Sequence, residues 1–373
     1  MKKIKIILLV FGVFILGTIP ADAISVSAQF SCVMEAETGQ VLYEKNAYSQ
    51  HSMASTTKIM TALLAIEKGN LSDVVTVSKN AAGTEGTSLY LQAGDKVTLS
   101  DLLYGLLLQS GNDAAIAIAE HISGSVEQFA EDMTVRAKEI GANSTAFQNP
   151  NGLDAEGHYT TAYDLALITR EALKNKTFSE IAATKSKTIQ DGKQTVVNHN
   201  KLLNLYPGCV GVKTGFTKKT GRCLVSSAVR DGKQFICVTL NAPDDWNDHT
   251  RLLDYAFSET VRYPLIAKGM TVNSVTVKNG KTSSVELAAK EDFYVTATKT
   301  NPFDGVEIRL QIPDSFTAPV RKGMAAGYAK IYQNDVFLGQ IPLETAADVG
   351  MKATDSGKEF WKYFKKLWYF GCV

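Results

Sequence analysis

The sequence has no Cys-X-X-Cys pair, no His-Glu-X-X-His run, no repeat of fixed period and no low-complexity tract. The first two absences remove the usual zinc-ligand spacings. The five histidines are scattered, so neither a metal nor another cofactor is expected. Five cysteines in 373 residues are an odd and sparse set, which argues against a disulfide framework. Cys32, Cys223 and Cys237 fall in apolar, strand-like runs and read as buried thiols. An excess of either charge is missing too. Lys+Arg 39 against Asp+Glu 38 gives +1, and nucleic acid is not an expected partner. With 45% hydrophobic and 21% charged residues, the composition is that of a globular protein with room for two or three domains.

The two ends carry membrane information. Met1-Lys-Lys-Ile-Lys5 precedes an apolar run from Ile6 to Ile19, then Pro20 and Ala21-Asp22-Ala23. A charged head, an apolar middle and a small-residue exit form a secretory signal peptide, here residues 1–23. The apolar run has 14 residues, short of the roughly 20 that span a bilayer. Cleavage would leave a mature chain of net charge −1. At the other end, Phe360, Phe364, Leu367 and Trp368 share one face of a helix wound through 358–370. Lys358, Lys362, Lys365 and Lys366 fall on the opposite face. That segregation suits the headgroup boundary of a membrane. The expectation is an exported protein held peripherally on the outer face of the cytoplasmic membrane by a tail over 351–373.

Between the ends the pattern changes once. Residues 29–35 and 40–44 read as strands around a Glu37-Thr38-Gly39 turn. Thr56–Lys68 reads as an apolar helix stopped at Gly69-Asn70. A second helix is predicted from Ser100 as N-cap, broken at Ser110-Gly111-Asn112 and resumed from Asp113 to Ile122. Strands return at Val210–Thr214, Cys223–Val229 and Gln234–Leu240, the last two joined at Asp231-Gly232. A helix near His249–Glu259 follows. This first domain, 24–262, carries strands at both ends of its sequence and helices between them, so its sheet requires long-range pairing. Short alternating runs over 263–350 indicate a separate small all-β domain.

Three short motifs carry chemistry. Ser55-Thr-Thr-Lys58 puts a hydroxyl and an amine on one helix face. Such an amine takes a proton only when burial or nearby cations keep it partly neutral. Ser110-Gly-Asn112 interrupts an apolar helix with a hydroxyl and a carboxamide, either as a turn or as the edge of a cleft. Lys213-Thr214-Gly215 lies on a strand, where the lysine suits a carboxylate and the glycine permits close backbone approach. Taken singly, each triplet is common by chance.

Their order and spacing are not. Ser-X-X-Lys, Ser-X-Asn and Lys-Thr-Gly, 55 and 103 residues apart, resemble the penicillin-recognising serine acyltransferases. The flanking runs Ala54–Ala65, Leu108–Ala115, Asn149–Asp154, Thr161–Ala166 and Gly211–Thr217 narrow the resemblance. They are similar to the low-molecular-mass penicillin-binding proteins, the D-alanyl-D-alanine carboxypeptidases of peptidase family S11. The resemblance covers roughly 25–260, and the β-rich region and amphipathic tail match the family's layout. It implies an α/β (α+β) penicillin-binding and serine β-lactamase-like transpeptidase domain, with an antiparallel sheet and a helical cluster. A small all-β domain and a C-terminal amphipathic helix would follow.

The resemblance also implies a mechanism. Ser55 attacks the carbonyl between the two terminal D-alanines of a peptidoglycan stem peptide, with Lys58 as base. Ser110 returns a proton to the departing D-alanine, and Asn112 orients the substrate amide. Lys213 and Thr214 hold the terminal carboxylate, Gly215 lets the substrate lie along the strand, and the amides of Ser55 and Phe216 hold the oxyanion. β-Lactam antibiotics would acylate Ser55 as inhibitors. One departure stands out. Some family members place an arginine before the helix that follows the last central strand, where it binds the carboxylate. Here that stretch is the acidic Asn241–His249, leaving Lys218, Arg222 and Arg251 as candidates. Asn149, Asp154, His158 and Asp164 read as structural residues near the cleft. The alternatives are a D,D-endopeptidase, a β-lactamase-like hydrolase and a non-catalytic wall-binding protein. Against the β-lactamase stand the missing Glu-X-X-Leu-Asn element and the extra β domain.

Overall fold

The computed structural model describes residues 24–299, 302–303, 305–352, 361–362 and 365. The expected signal peptide, and the expected tail helix apart from a few positions, lie outside the described residues. The chain divides into two compact units at Val261/Arg262.

The first unit is built on a five-stranded sheet. Its strands are β1 (Phe30–Glu35), β2 (Val41–Lys45), β3 (Cys209–Thr217), β4 (Gly221–Arg230) and β5 (Lys233–Leu240). Their spatial order is β2-β1-β5-β4-β3, antiparallel throughout. The long-range closure required by the sequence is the β1–β5 pair, in which Cys32 lies opposite Val238. Side chains alternate across the sheet. Cys32, Met34, Cys223, Val225, Ile236 and Val238 pack into the main helical core. Val33, Leu224, Phe235 and Cys237 pack on the other face beneath Leu252, Leu253 and Ala256.

The helical side contains α1 (Lys58–Lys68), α2 (Leu99–Tyr104), α3 (Asn112–Ser123), α4 (Val126–Ile140), α5 (Ala162–Lys174) and α6 (Lys176–Ala183). The helix predicted from Ser100 begins two residues earlier. Thr98 is its cap, with Oγ1 accepting the Asp101 amide at 3.1 Å, an arrangement worth about 1 kcal/mol. The helix predicted to resume at Asp113 starts at Asn112. The opposite face is covered by α7 (Asp245–Glu259), which begins four residues before the predicted His249. Two buried groups explain that early start. Asp248 accepts hydrogen bonds from the Ser27 amide (2.9 Å), the Ser27 hydroxyl (2.7 Å) and the Ala28 amide (2.9 Å). His249 bridges the hydroxyls of Ser226 (2.6 Å) and Thr239 (2.9 Å). Burial pushes its pKa down to about 3, so the ring is neutral. These contacts are long-range, and no local pattern announces them.

The second unit is all-β. Its six-stranded sheet runs Val306–Gln311, Ala325–Gln333, Val336–Thr345, Ser284–Ala289, Thr271–Lys278 and Ser315–Thr317. Only the last pairing is parallel. Leu287, Ala329, Ile331, Ile341 and Leu343 form its core. Among the described residues, no helix is long and apolar enough to cross a membrane. Cys32, Cys223 and Cys237 are free and buried, Cys209 is free and half-buried, and Cys372 lies outside the described residues.

Candidate active site

The local structure around Ser55 is a strained turn clamped on two sides. Ala54–Thr57 is a 3₁₀ turn that runs into α1. Ala54 takes a φ of 46°, unusual for a residue with a side chain. Gly152 closes over this turn. Its φ is 87°, and a Cβ there would stand 2.0 Å from the Ala54 carbonyl oxygen. Gly215 of β3 approaches from the other side, where a Cβ would lie 3.0 Å from the Ser55 nitrogen and 3.1 Å from that of Thr56. The glycine of Lys-Thr-Gly therefore also serves the protein's own packing, with β3 drawn against the start of α1.

Beneath the turn, His158 fixes the position of α1. Its Nδ1 lies 3.0 Å from the Gln148 amide and can only accept there. Its Nε2–H therefore donates to Thr57 Oγ1 at 2.8 Å, and that hydroxyl donates to the Ala54 carbonyl at 2.8 Å. Burial pushes the His158 pKa down to about 4, in keeping with a neutral ring. Asn149 shapes the loop above, accepting the Gly152 amide at 2.7 Å and donating to the Leu153 carbonyl at 2.9 Å. Asp154 and Asp164 likewise hold local structure, through Thr220 and through Ser144 and Thr145.

Lys58 is fully buried. Its Nζ lies 2.9 Å from Ser55 Oγ, 2.7 Å from Asn112 Oδ1 and 2.5 Å from the Asn151 carbonyl oxygen. Desolvation holds its pKa well below the ordinary lysine range, and the Lys213 charge adds to the effect, while Asp113 opposes it. A neutral amine has two N–H groups and one lone pair. In that neutral form Asn112 and Asn151 would take the two N–H groups, leaving the lone pair to the Ser55 hydroxyl. This is the geometry of a base beside a nucleophile.

Ser110 caps a π-helical turn over Gly105–Gln109 and sits in the left-handed region at φ 67°, ψ 31°. That turn is the physical form of the predicted helix break, a device frequent at functional sites. Ser110 is buried. Asn112 joins the site through Lys58, and its Nδ2 donates to the Glu85 carbonyl at 2.6 Å. Lys213 is fully buried on β3. Desolvation pushes its pKa down to about 7, and its charge is near enough to depress both Lys58 and His199. Lys213 and Gly215 share a sheet face with their partners Val225 and Cys223, toward the helical core. Thr214 and Phe216 pair with Leu224 and Arg222 on the α7 face, and Phe216 is exposed.

The three candidate cations differ in setting. Arg222 donates from Nη2 to Asp245 Oδ1 at 2.9 Å and lies over the Trp246 ring. Arg251 is engaged with the Ser25 carbonyl at 3.3 Å, on the N-terminal segment. Lys218 is an exposed turn residue.

Sequence reasoning missed Asp113. Its buried carboxylate accepts the Ser88 hydroxyl (2.6 Å) and the amides of Leu89 (2.9 Å), Leu91 (3.1 Å) and Ala114 (2.9 Å). It binds the 85–91 loop to the Ser-Gly-Asn segment. It also missed the Asn151 carbonyl, a backbone group that carries no residue-type signal.

Known proteins resemble the chain over both of its units. Residues 18–244 match the family model for D-alanyl-D-alanine carboxypeptidase, peptidase S11. Residues 262–351 match that for the C-terminal domain of penicillin-binding protein 5. The chain is 37% identical over 333 residues to the D-alanyl-D-alanine carboxypeptidase DacF of Bacillus subtilis, covering 86% of each. It is 34% identical over 366 residues to DacC of Escherichia coli, covering 94% of this chain and 88% of that one. Among solved structures, penicillin-binding protein 5 of Haemophilus influenzae has a TM-score of 0.67 at 28% identity, covering 90% of this chain and all of that one. A peptidoglycan synthesis regulatory factor (PBP3) of Streptococcus pneumoniae has a TM-score of 0.75 at 26% identity, covering 87% and 100%.

Proposed function

The chain belongs to the peptidase S11 family of D-alanyl-D-alanine carboxypeptidases, and from that premise we propose that Ser55 is its nucleophile and Lys58 the base that activates it. The family carries with it a peptidoglycan stem peptide as substrate and β-lactams as ligands. The observation that supports the residue assignment is the desolvated Lys58 amine, within hydrogen-bond reach of two carbonyl-type oxygens and of one hydroxyl, that of Ser55.

The reaction then runs as follows. The Ser55 proton passes to Lys58 Nζ as Oγ bonds to the carbonyl carbon between the terminal D-alanines. The Ser55 and Phe216 amides hold the oxyanion. The C–N bond breaks as the proton taken up by Lys58 is relayed through the Ser110 hydroxyl to the departing amine, which restores the neutral lysine and leaves an ester on Ser55. Water hydrolyses that ester. Asn112 orients the amide on the acyl side with its remaining N–H. Lys213 and Thr214 hold the terminal carboxylate, and Gly215 keeps the β3 edge open to the peptide. Arg222 supplies the permanent positive charge that Lys213, with a pKa near 7, supplies only in part. Mass spectrometry of the penicillin adduct tests the nucleophile. The adduct is expected on the peptide containing Ser55, and an adduct elsewhere would overturn the assignment. Products from a stem pentapeptide and a cross-linked dimer separate the tail-trimming activity from the endopeptidase alternative. The first is expected to release D-alanine and the second to remain uncut.

We further read residues 1–23 as an export signal, 24–262 as the catalytic domain, 263–350 as the all-β domain and 351–373 as a peripheral membrane tail. The lysine and aromatic faces of 358–370 support the tail. Mature protein truncated before Lys358 is expected to leave the membrane pellet with its activity intact. Continued pelleting of that truncation would count against the tail.

A further inference from the structure

The loop 85–91 runs alongside the Ser-Gly-Asn segment, tied to it at several points. The Asn112 amide donates to the Thr87 carbonyl at 2.7 Å, and its Nδ2 donates to Glu85. Gln109 Nε2 reaches the Ser88 carbonyl at 3.4 Å. The loop comes so close at Gly86 that a Cβ there would stand 2.6 Å from Asn112 Nδ2. At its end the chain alternates sharply. Leu89 and Leu91 are buried, at 3% and 2% exposure, while Tyr90 between them is 80% exposed. Tyr90 also takes a φ of 61°, a strained conformation for a residue with a large ring.

The strain is held by one carboxylate. Asp113 accepts the amides on both sides of Tyr90, those of Leu89 and Leu91. It also accepts the Ser88 hydroxyl, whose oxygen in turn accepts the Tyr90 amide at 2.8 Å. The ring gains little from burial in return, and glycine or asparagine would fit the backbone with less strain. Asp113 follows directly on Asn112, so the residue beside Lys58 and the residue presenting Tyr90 are neighbours in the chain.

We propose that Tyr90 is a substrate-contacting residue that reads the stem peptide on the amino side of the scissile bond. The inference rests on the assignment of Asn112 to the acyl-side amide. On that assignment the acyl side of the peptide lies at Asn112, to which loop 85–91 is bonded through Glu85 and Thr87. An exposed phenol offers an apolar ring face and a hydroxyl, which suits an aliphatic side chain with a polar end.

The test compares the full mature enzyme with Tyr90→Ala, Tyr90→Phe and Tyr90→Asn on two substrates, N-acetyl-D-Ala-D-Ala and a stem pentapeptide. Asparagine tolerates the left-handed backbone and guards against a folding effect. With the pentapeptide, Tyr90→Ala and Tyr90→Asn are expected to lower kcat/KM about three- to tenfold, the range of one aromatic contact. Tyr90→Phe should keep most of the activity. With the short substrate, all four enzymes should agree within about twofold. Equal losses on both substrates would mean a structural role through Asn112, and no loss on the pentapeptide would mean no contact; either overturns the proposal. A Ser55→Ala enzyme with full turnover would instead sink the site assignment beneath it, so the two failures are distinguishable.

Discussion

Ser55→Ala, Lys58→Ala and the double variant are expected to release D-alanine at one common residual rate, about 10³- to 10⁴-fold or more below the wild type. On the proposed assignment the two groups act in a single step. Without Ser55 there is no acyl-enzyme, and without Lys58 the hydroxyl keeps its proton, so the second deletion removes nothing further. Lys58→Arg should fail almost as badly. A guanidinium stays protonated and offers no lone pair, although it preserves the charge of an ordinary lysine. The proposed role of Lys58 depends on its losing that charge, which full burial and the nearby Lys213 favour. Asn112 Oδ1 and the Asn151 carbonyl then orient the neutral amine. Initial rates of D-alanine release on the wild type and the four variants check this. A Lys58→Ala enzyme above one tenth of wild-type activity, or a double variant whose loss is the product of the two single losses, would defeat the assignment.

The three motifs were legible because each is local and each has a residue type that chemistry requires. Their conjunction pointed to the family and to the fold class, and the return of strands after 209 required the β1–β5 closure. What local pattern could not supply was the environment. Nothing in Asn149-Pro-Asn-Gly152 indicates that the Asn151 carbonyl will meet Lys58 Nζ, or that Gly152 will press on the Ala54 carbonyl. Both contacts join segments more than ninety residues apart. Asp113 was passed over because an acid at the start of a helix already has an ordinary explanation in the helix dipole. Its carboxylate instead binds a loop more than twenty residues earlier. The cap at Thr98 was misplaced to Ser100 for a related reason. Both residues are good caps, and only the hydrogen bond to the Asp101 amide selects between them.

The missing arginine leads to the second large effect. Arg222→Gln is expected to lower kcat/KM for a D-Ala-D-Ala peptide by about thirtyfold to a thousandfold, the range for removing one partner of a close charge pair. The sheet register supports Arg222 over its rivals. Arg222 lies opposite Phe216, and Leu224 opposite Thr214, so Arg222 and Thr214 are diagonal neighbours on the face away from Lys213, and a carboxylate would meet both faces only round β3, the edge strand of the sheet. Asp245 and Trp246 hold the guanidinium from α7, whereas Arg251 is turned to Ser25 and Lys218 sits on an open turn. The decisive comparison replaces the peptide's C-terminal carboxylate with an amide. Wild type and Arg222→Gln should then converge, because the interaction lost in the variant is already absent from the substrate. A purely structural defect would keep them apart. The pH profile supplies an independent sign. With its pKa lowered to about 7, Lys213 is charged below that pH and neutral above it. In the wild type Arg222 keeps a positive charge at the site throughout. In Arg222→Gln the site loses its last cation as Lys213 deprotonates. The variant's kcat/KM should therefore fall more steeply than the wild type's as pH rises through 7. Parallel profiles together with a persistent gap on the amide substrate would remove Arg222 from the carboxylate site.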